Sequence, residues 1–239
     1  MEERNLQQGS GISHFPGERK MKVLIGCEKS GVVRDAFLDQ GYDAWSCDLL
    51  PSETPSNRHI QDDVRYVLQS ESWDLLMVAH PPCTRLCNSG VRWLTVPPPG
   101  RNLEELNEEL EEGSQFFADM WNADVPRVAV ENPVMHKHAK KRIQQYSDIE
   151  FPWKATQTVQ PWQFAEAEEG PDNVKKRTCF WLRDLPLLEA TGNLDGSSAR
   201  ADIHNEGPSP QRAENRSRFF PGMANAMATQ WGGHAIRTI

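Results

Sequence analysis

The chain has 239 residues, enough for one large α/β domain or a domain with a small lobe, and 38% are hydrophobic, so a sizeable core is within reach. No apolar run approaches the roughly 20 residues of a membrane span, and no secretory leader precedes the first apolar run, so a soluble, cytoplasmic protein is expected. The net charge of -8 excludes a uniformly basic coat but not a local basic face, and the five scattered cysteines fit reduced thiols better than a disulfide framework.

Residues 1–20 are polar, Gly-containing and aperiodic, and read as a disordered tail. Met21-Lys-Val-Leu-Ile-Gly-Cys27 is a compact strand-like run. Ser30-Gly31 then turns the chain into a helix with Val32, Val33, Ala36 and Phe37 at helical spacing, ending near Gly41. Tyr42 to Cys47 reads as a second strand closing on Asp48, and Asp62 to Leu68 as a short helix or turn. Leu75 to Ala79 is a buried parallel strand, stopped by Pro81-Pro82 and followed at once by Cys83.

Pro97-Pro98-Pro99-Gly100 is a loop, and a long helix follows from about Leu103 to Trp121, with the acidic run ending at Glu112 as its solvated face. Arg127 to Val130 is a strand ending on Glu131-Asn132-Pro133, ahead of a basic cluster at Lys137, Lys140, Lys141 and Arg142. Strands alternating with helices predict a doubly wound, mainly parallel Rossmann-like sheet with helices on both faces. Beyond about Phe151, Gln157 to Phe164 and Lys176 to Leu182 look like strands with no long helix between them. Thr191 to Ser217 is polar and poor in core residues, and a last helix runs from about Met223 to Trp231. The expected organisation is therefore one domain over 21–239, with a small irregular, β-containing subregion over 151–218.

Cys83 carries the most chemistry. Two prolines before it restrict the backbone and hold the sulfur in place, which suits a nucleophile; a buried structural cysteine is the alternative. Glu131 leaves the same edge of the sheet, where a carboxyl group beside a thiol can protonate a ring nitrogen and make the ring electrophilic. It reads equally as a strand-end acid pairing with Lys137 or Lys140. Gly26, Ser30 and Gly31 form a small, polar turn at a helix N-terminus, a natural cofactor cradle, although no G-x-G-x-x-G is present. Asp48 stands where a doubly wound fold holds a ribose hydroxyl, and Asp63 is placed to accept from an adenine amine. Both also read as ordinary turn or cap acids. His80, Cys83, Cys87, His136 and His138 lack the paired spacing of a structural zinc site, so no metal is expected. No segment supplies the orienting pair that a Cys-His protease needs.

The order of these motifs resembles the cytosine-C5 DNA methyltransferase family, most of all its short phage-type members, from Met21 to Gly233. The family's Gly-rich turn is matched by Cys27-Glu28-Lys29-Ser30-Gly31, with lysine in place of a glycine. Its acids after the second strand and near the adenine are matched by Asp48 and Asp63. Its Pro-Pro-Cys motif is matched by Pro81-Pro82-Cys83, with Thr84 where Gln is common, and its Glu-Asn-Val motif by Glu131-Asn132-Pro133. The Gln-x-Arg-x-Arg strand is met only by Val174-Lys175-Lys176-Arg177-Thr178, and the closing Gly-Asn-Ala helix by Pro221 to Met227. The stretch from Phe180 to Phe219 is short for the family's target-recognition domain, so 151–218 is read as a reduced one.

The resemblance implies S-adenosylmethionine as cofactor, held by Cys27, Glu28, Ser30, Gly31, Asp48, Asp63, Pro81 and Asn225. It implies methyl transfer to C5 of a cytosine flipped out of DNA, through a covalent cysteine adduct. Cys83 would attack C6, Glu131 would hold N3 and the exocyclic amine, and Lys176 or Arg177 would favour the thiolate. Thr84, Asn88, Ser89 and Asn132 are candidate substrate contacts. Gly192 to Arg218, with Arg200, Arg212, Arg216 and Arg218, is the candidate DNA-reading segment. The same chemistry on a free pyrimidine nucleotide, RNA or single-stranded DNA stays open, as does a non-catalytic decoy that binds DNA or cofactor.

Overall fold

Short apolar runs bounded by turn residues become the inner strands of a seven-stranded sheet, ordered β3-β2-β1-β4-β5-β7-β6. The computed structural model describes residues 19–201 and 219–234. The expected tail therefore falls almost wholly outside the described residues, as do Arg212, Arg216 and Arg218.

In chain order the elements are β1 (Lys22–Gly26), α1 (Val32–Asp39), β2 (Asp43–Asp48), β3 (His59–Gln61), α2 (Val64–Ser70) and β4 (Leu75–Val78). Then follow α3 (Leu103–Asn122), β5 (Val128–Asn132), α4 (Lys137–Tyr146), β6 (Gln157–Val159), β7 (Thr178–Arg183) and α5 (Pro221–Met227). The run β3-β2-β1-β4-β5 is parallel throughout, while β7 pairs antiparallel with both β5 and β6. The order reverses between β1 and β4, the point at which a doubly wound sheet opens a crevice beyond its strand ends. The fold is thus mixed α/β and Rossmann-like.

The two-residue period of the strands splits the core into two layers. Val23, Ile25, Met77, Ala129 and Phe180 face α1 and α5, joined by Phe37, Met223 and Trp231. Leu24, Leu76, Val78, Val130 and Trp181 face the other way, against Val64 of α2, Phe117 of α3 and Ile143 of α4. Helix α3 begins at a reciprocal capping box: the Asn102 side chain accepts from the Glu105 amide at 2.9 Å, and the Glu105 carboxylate accepts from the Asn102 amide at 3.3 Å.

Four elements differ from the sequence expectation. The strand expected over Gln157 to Phe164 stops at Val159 and gives way to a 3-10 turn over Pro161–Phe164, where Pro161 has no N–H for a ladder. His59–Gln61 is a strand, pairing with β2 alone, and Lys137–Tyr146 is a helix where only a basic cluster is evident. The last helix starts earlier than expected, at Pro221, and continues as a π-helical turn over Ala228–Gly232. Within 151–218, β6 and β7 complete the edge of the main sheet. Among the described residues, no helix is long and apolar enough to cross a membrane.

Candidate active site

A cleft of about 910 Å³ opens beyond the C-terminal ends of β1, β2 and β4, lined among others by Asp48, Asp63, His80, Thr84, Gly113 and Phe116. Its volume suits a cofactor-sized ligand, and it lies at the switch point of the sheet.

The turn after β1 divides its residues between cleft and scaffold. Cys27 adopts a left-handed backbone, with φ of 56°, and lines the cleft. Burial, reinforced by Asp48, drives its thiol far up from the ordinary value. Glu28 is wholly buried and turned inward. Its carboxylate accepts from the amides of Val33 at 2.7 Å and Arg34 at 3.2 Å, and from the Ser30 hydroxyl at 3.2 Å. The reason is local: the N-cap position of α1 is Gly31, at φ 79°, which has no side chain to offer. Glu28 supplies the missing acceptor, and burial lifts it to about 7 despite these donors. Cys27 therefore faces the cleft, while Glu28, Ser30 and Gly31 start the helix.

The two candidate acids are turn and cap acceptors that also line the cleft. Asp48 accepts from the Leu50 amide at 2.9 Å and lines the cleft. Asp63 caps α2 by accepting from the Arg65 amide at 2.9 Å and pairs with the Arg65 guanidinium at 2.5 Å. That guanidinium holds its carboxyl below the usual carboxylate range, yet Asp63 still forms part of the cleft wall.

The edge that carries Cys83, the candidate reacting edge, is assembled by the loop after β4. Pro81 is buried, so Pro82 and not the expected Pro81 lines the cleft. Cys83 opens a helical turn, its carbonyl accepting from the amides of Leu86 and Cys87, each at 3.0 Å. Gly90 closes the loop, where a Cβ would stand 2.2 Å from the Thr84 carbonyl oxygen. The loop is fastened to the segment that follows β5. The Asn88 amide donates to the Val134 carbonyl at 2.8 Å and the His136 amide to the Leu86 carbonyl at 3.0 Å, with the His136 ring 2.6 Å from the Arg85 carbonyl. Because Val78 of β4 pairs with Val130 of β5, these bonds bring the Cys83 loop and Glu131 to one edge.

The electrostatics tie these groups together. Burial, then the charge of Glu131, push the Cys83 thiol up to about 12, and Lys176 acts in the opposite sense. Burial lifts Glu131 to about 7, again opposed by Lys176. Of the two candidate cations, Lys176 is thus the one felt at this edge, its Nζ 5.8 Å and 5.9 Å from the ring centres of Phe219 and Phe220. Arg177 is exposed and acts on Cys179 instead.

His80 packs against Phe219 with centroids 5.0 Å apart and the rings tilted by 35°, and its Nε2 is buried with no partner. Burial, helped by Lys176, keeps this imidazole neutral by holding its pKa well below the ordinary histidine value. Asn132 is fully buried, donates to the Pro133 carbonyl at 2.7 Å and leaves its Oδ1 unpartnered.

The remaining candidates are more dispersed. Thr84 lines the cleft, and Asn88 and Ser89 are exposed on the loop, with the Ser89 hydroxyl 3.0 Å from the Cys87 sulfur. Asn225 is exposed on α5 and does not line the cleft; Phe219, just before that helix, is what reaches the reacting edge. The Arg200 guanidinium donates to the carbonyls of Glu168 and Gly170, holding a loop together. Among the described residues, no three His, Cys, Asp or Glu side chains group as metal ligands.

Sequence reasoning assigns no site role to Phe219, Gly113 or Phe116, and weighs His80 only as a metal ligand. Gly113 does leave a signal, since a glycine inside a long helix costs about 1 kcal/mol relative to alanine and calls for a reason. A Cβ there would lie 3.3 Å from the Pro82 carbonyl, so glycine lets α3 approach the Cys83 loop. Comparison of the chain with models of known families finds no match, and comparison with curated proteins finds none either.

Proposed function

We propose that the chain transfers a methyl group from S-adenosylmethionine to carbon 5 of cytosine in DNA, as its resemblance to cytosine-C5 methyltransferases implies. The observation that carries this reading is the meeting of Cys83, Glu131 and Lys176 at one sheet edge, beside an acid-lined cleft. The cleft residues fit the cofactor: Asp48 and Asp63 are acceptors suited to ribose hydroxyls and an adenine amine, and Phe116 offers an aromatic face. The unpartnered Nε2 of His80 adds a polar contact. Bound there, S-adenosylmethionine supplies an electrophilic methyl group.

The chain's own residues do the rest. A flipped cytosine presents its ring to Cys83 and Glu131. Glu131, lifted to about 7, carries a proton through much of the neutral range and donates it to N3, which draws electrons away from C6. Burial does most to raise the Cys83 thiol and the Glu131 charge adds to it; protonation removes that added charge, so one proton taken by Glu131 makes the proton of Cys83 easier to lose. The sulfur then bonds to C6 and C5 takes the methyl group, the donor leaving as a neutral thioether. Loss of the C5 proton to water breaks the C–S bond and frees Cys83, and the N3 proton returns to Glu131.

The short stretch between Phe180 and Phe219 favours a second reading, the same chemistry on single strands or a free nucleotide. A methyl-transfer assay with labelled S-adenosylmethionine on duplex DNA, single strands and dCMP separates them. Incorporation into duplex DNA that is abolished by Cys83→Ser is the expected result. Incorporation into dCMP alone overturns the DNA reading, and incorporation into none of the three overturns both.

A further inference from the structure

A second cleft, of about 600 Å³, borders the segment after β5 to which the Cys83 loop is fastened, and the reaction above makes no use of it. Its walls include Lys140 of α4, Lys154, Arg177 and Trp162, over Cys179 and Trp181 of β7. No carboxylate lines it, and among the described residues none of its three cations is in an ion pair. In a chain of net charge -8, unneutralised cations gathered without a single acid mark a site for an anion.

Three further observations narrow the ligand. The cleft adjoins the reacting edge: Asn132 pairs with Cys179 in register, and the Cys179 thiol feels the charge of Glu131. Val134, on the rim, is the residue whose carbonyl fastens the Cys83 loop through Asn88. Aromatic surface lies among the cations. Trp162 is packed against the backbone of Gly196, where a Cβ would stand 2.7 Å from its ring, and Lys140 sits 5.5 Å from the ring centre of Trp153. In the same lining, the Gln160 side-chain oxygen is buried without a partner. Cations, an indole and an amide are the combination that tracks a nucleic-acid strand by phosphate pairing, base stacking and hydrogen bonding.

We propose that this cleft holds the phosphodiester backbone of the DNA strand beside the target cytosine, so that the substrate is a polynucleotide and not a free nucleotide. The assignment rests on the reading of Cys83 and Glu131 as a base-modifying centre. Its test is a binding measurement, which needs no turnover.

Fluorescence anisotropy of a labelled single-stranded oligonucleotide and its duplex is followed against salt for the full chain and for Lys140→Glu/Lys154→Glu. The full chain is expected to bind the strand. The variant loses affinity on the order of tenfold or more at low salt, and the slope of log K against log salt falls by about 1.4, roughly 0.7 for each phosphate no longer neutralised. A Lys140→Gln/Lys154→Gln variant, with its melting temperature as a check on folding, gives the same direction with a smaller loss of affinity. Equal affinity and slope in full chain and both variants overturn the proposal, as does a full chain that binds neither oligonucleotide. Binding that depends on the two lysines without any methyl transfer sinks the proposed reaction and leaves this cleft standing. Methyl transfer that proceeds with binding indifferent to the lysines does the reverse.

Discussion

Two clefts adjoin the loop of Cys83 and its anchor, and they differ in sign. Five carboxylates and two guanidiniums line the first, while three cations and no acid line the second. The contrast shows why a net charge of -8 is a poor guide to partners: the sum conceals a separation of charge around one loop. An acidic cleft attracts a sulfonium and an amine, and a cationic one attracts phosphates. On the proposed reading, one cleft would take the positively charged methyl donor and the other a polyanion, with Cys83 close to both.

After Cys83 itself, Glu131 is the group on which the rate of the proposed reaction depends most. Replacing it with Gln is expected to lower kcat about 10²- to 10⁴-fold, the usual range for a lost general acid. The pH profile carries a sharper signature. With Glu131 at about 7 and Cys83 at about 12, the reacting form has a protonated carboxyl and an ionised thiol. Below pH 7 that form has one proton fewer than the resting site, so the rate rises about tenfold per pH unit; above pH 7 the proton counts are equal and the rate levels off. In Glu131→Gln the ring-facing group is neutral at every pH, so the rate keeps rising above 7. A variant that levels off where the full chain does contradicts the coupling.

The separation of the clefts predicts separable losses. Removing Asp48 with Ala is expected to weaken S-adenosylmethionine binding about ten- to a hundredfold, the range for a charged hydrogen bond. Oligonucleotide affinity should stay as it was; calorimetry and anisotropy on the same preparation check both. A parallel loss of both ligands means that the clefts act as one site.

Smaller effects concern the scaffold under the first cleft. Glu28→Ala removes the buried carboxylate that accepts from the first amides of α1 and is expected to cost about 1–2 kcal/mol in chemical denaturation. Glu28 also adds a pH dependence. Its folded pKa is raised from the ordinary glutamate value of about 4.3 to about 7, so the native state binds the extra proton. The stability it contributes is present below about pH 4.3 and lost as pH rises through about 7, and the fall in melting temperature across that window should shrink in Glu28→Gln. Gly113→Ala is the mildest change, since better helix propensity offsets crowding of the Pro82 carbonyl. Stability is expected within about 1 kcal/mol of the full chain, with activity reduced severalfold through the displaced Cys83 loop.

Much of this architecture is legible in the residues. β1, β2, β4 and β5 are apolar runs ended by turn residues, and their order places Cys83 and Glu131 on neighbouring strand ends. β3 escapes because three partly exposed residues on the edge of a sheet show no period. α4 escapes because it buries only Ala139 and Ile143, so its cations mask the apolar spacing. In the site, the choice between Lys176 and Arg177 depends on which way each points just before β7, and adjacent positions in a sequence do not reveal that. Glu28 reads as a cofactor contact because its inward turn follows from the missing side chain of Gly31, a cause visible only once α1 is known to start there. His80 and Phe219 meet across the fold and share no motif.

The most direct test uses a DNA oligonucleotide carrying 5-fluorocytosine, incubated with the chain and S-adenosylmethionine, with the product resolved by intact mass and peptide mapping. Fluorine at C5 blocks the final proton loss, so the bond to sulfur cannot break. The expected product is one covalent complex per chain, carrying the added methyl group, with the linkage on the peptide containing Cys83 and no complex in Cys83→Ser. No adduct with any oligonucleotide, or an adduct that maps to Cys27, Cys87 or another residue, contradicts the assignment of Cys83 as the group that attacks the pyrimidine ring.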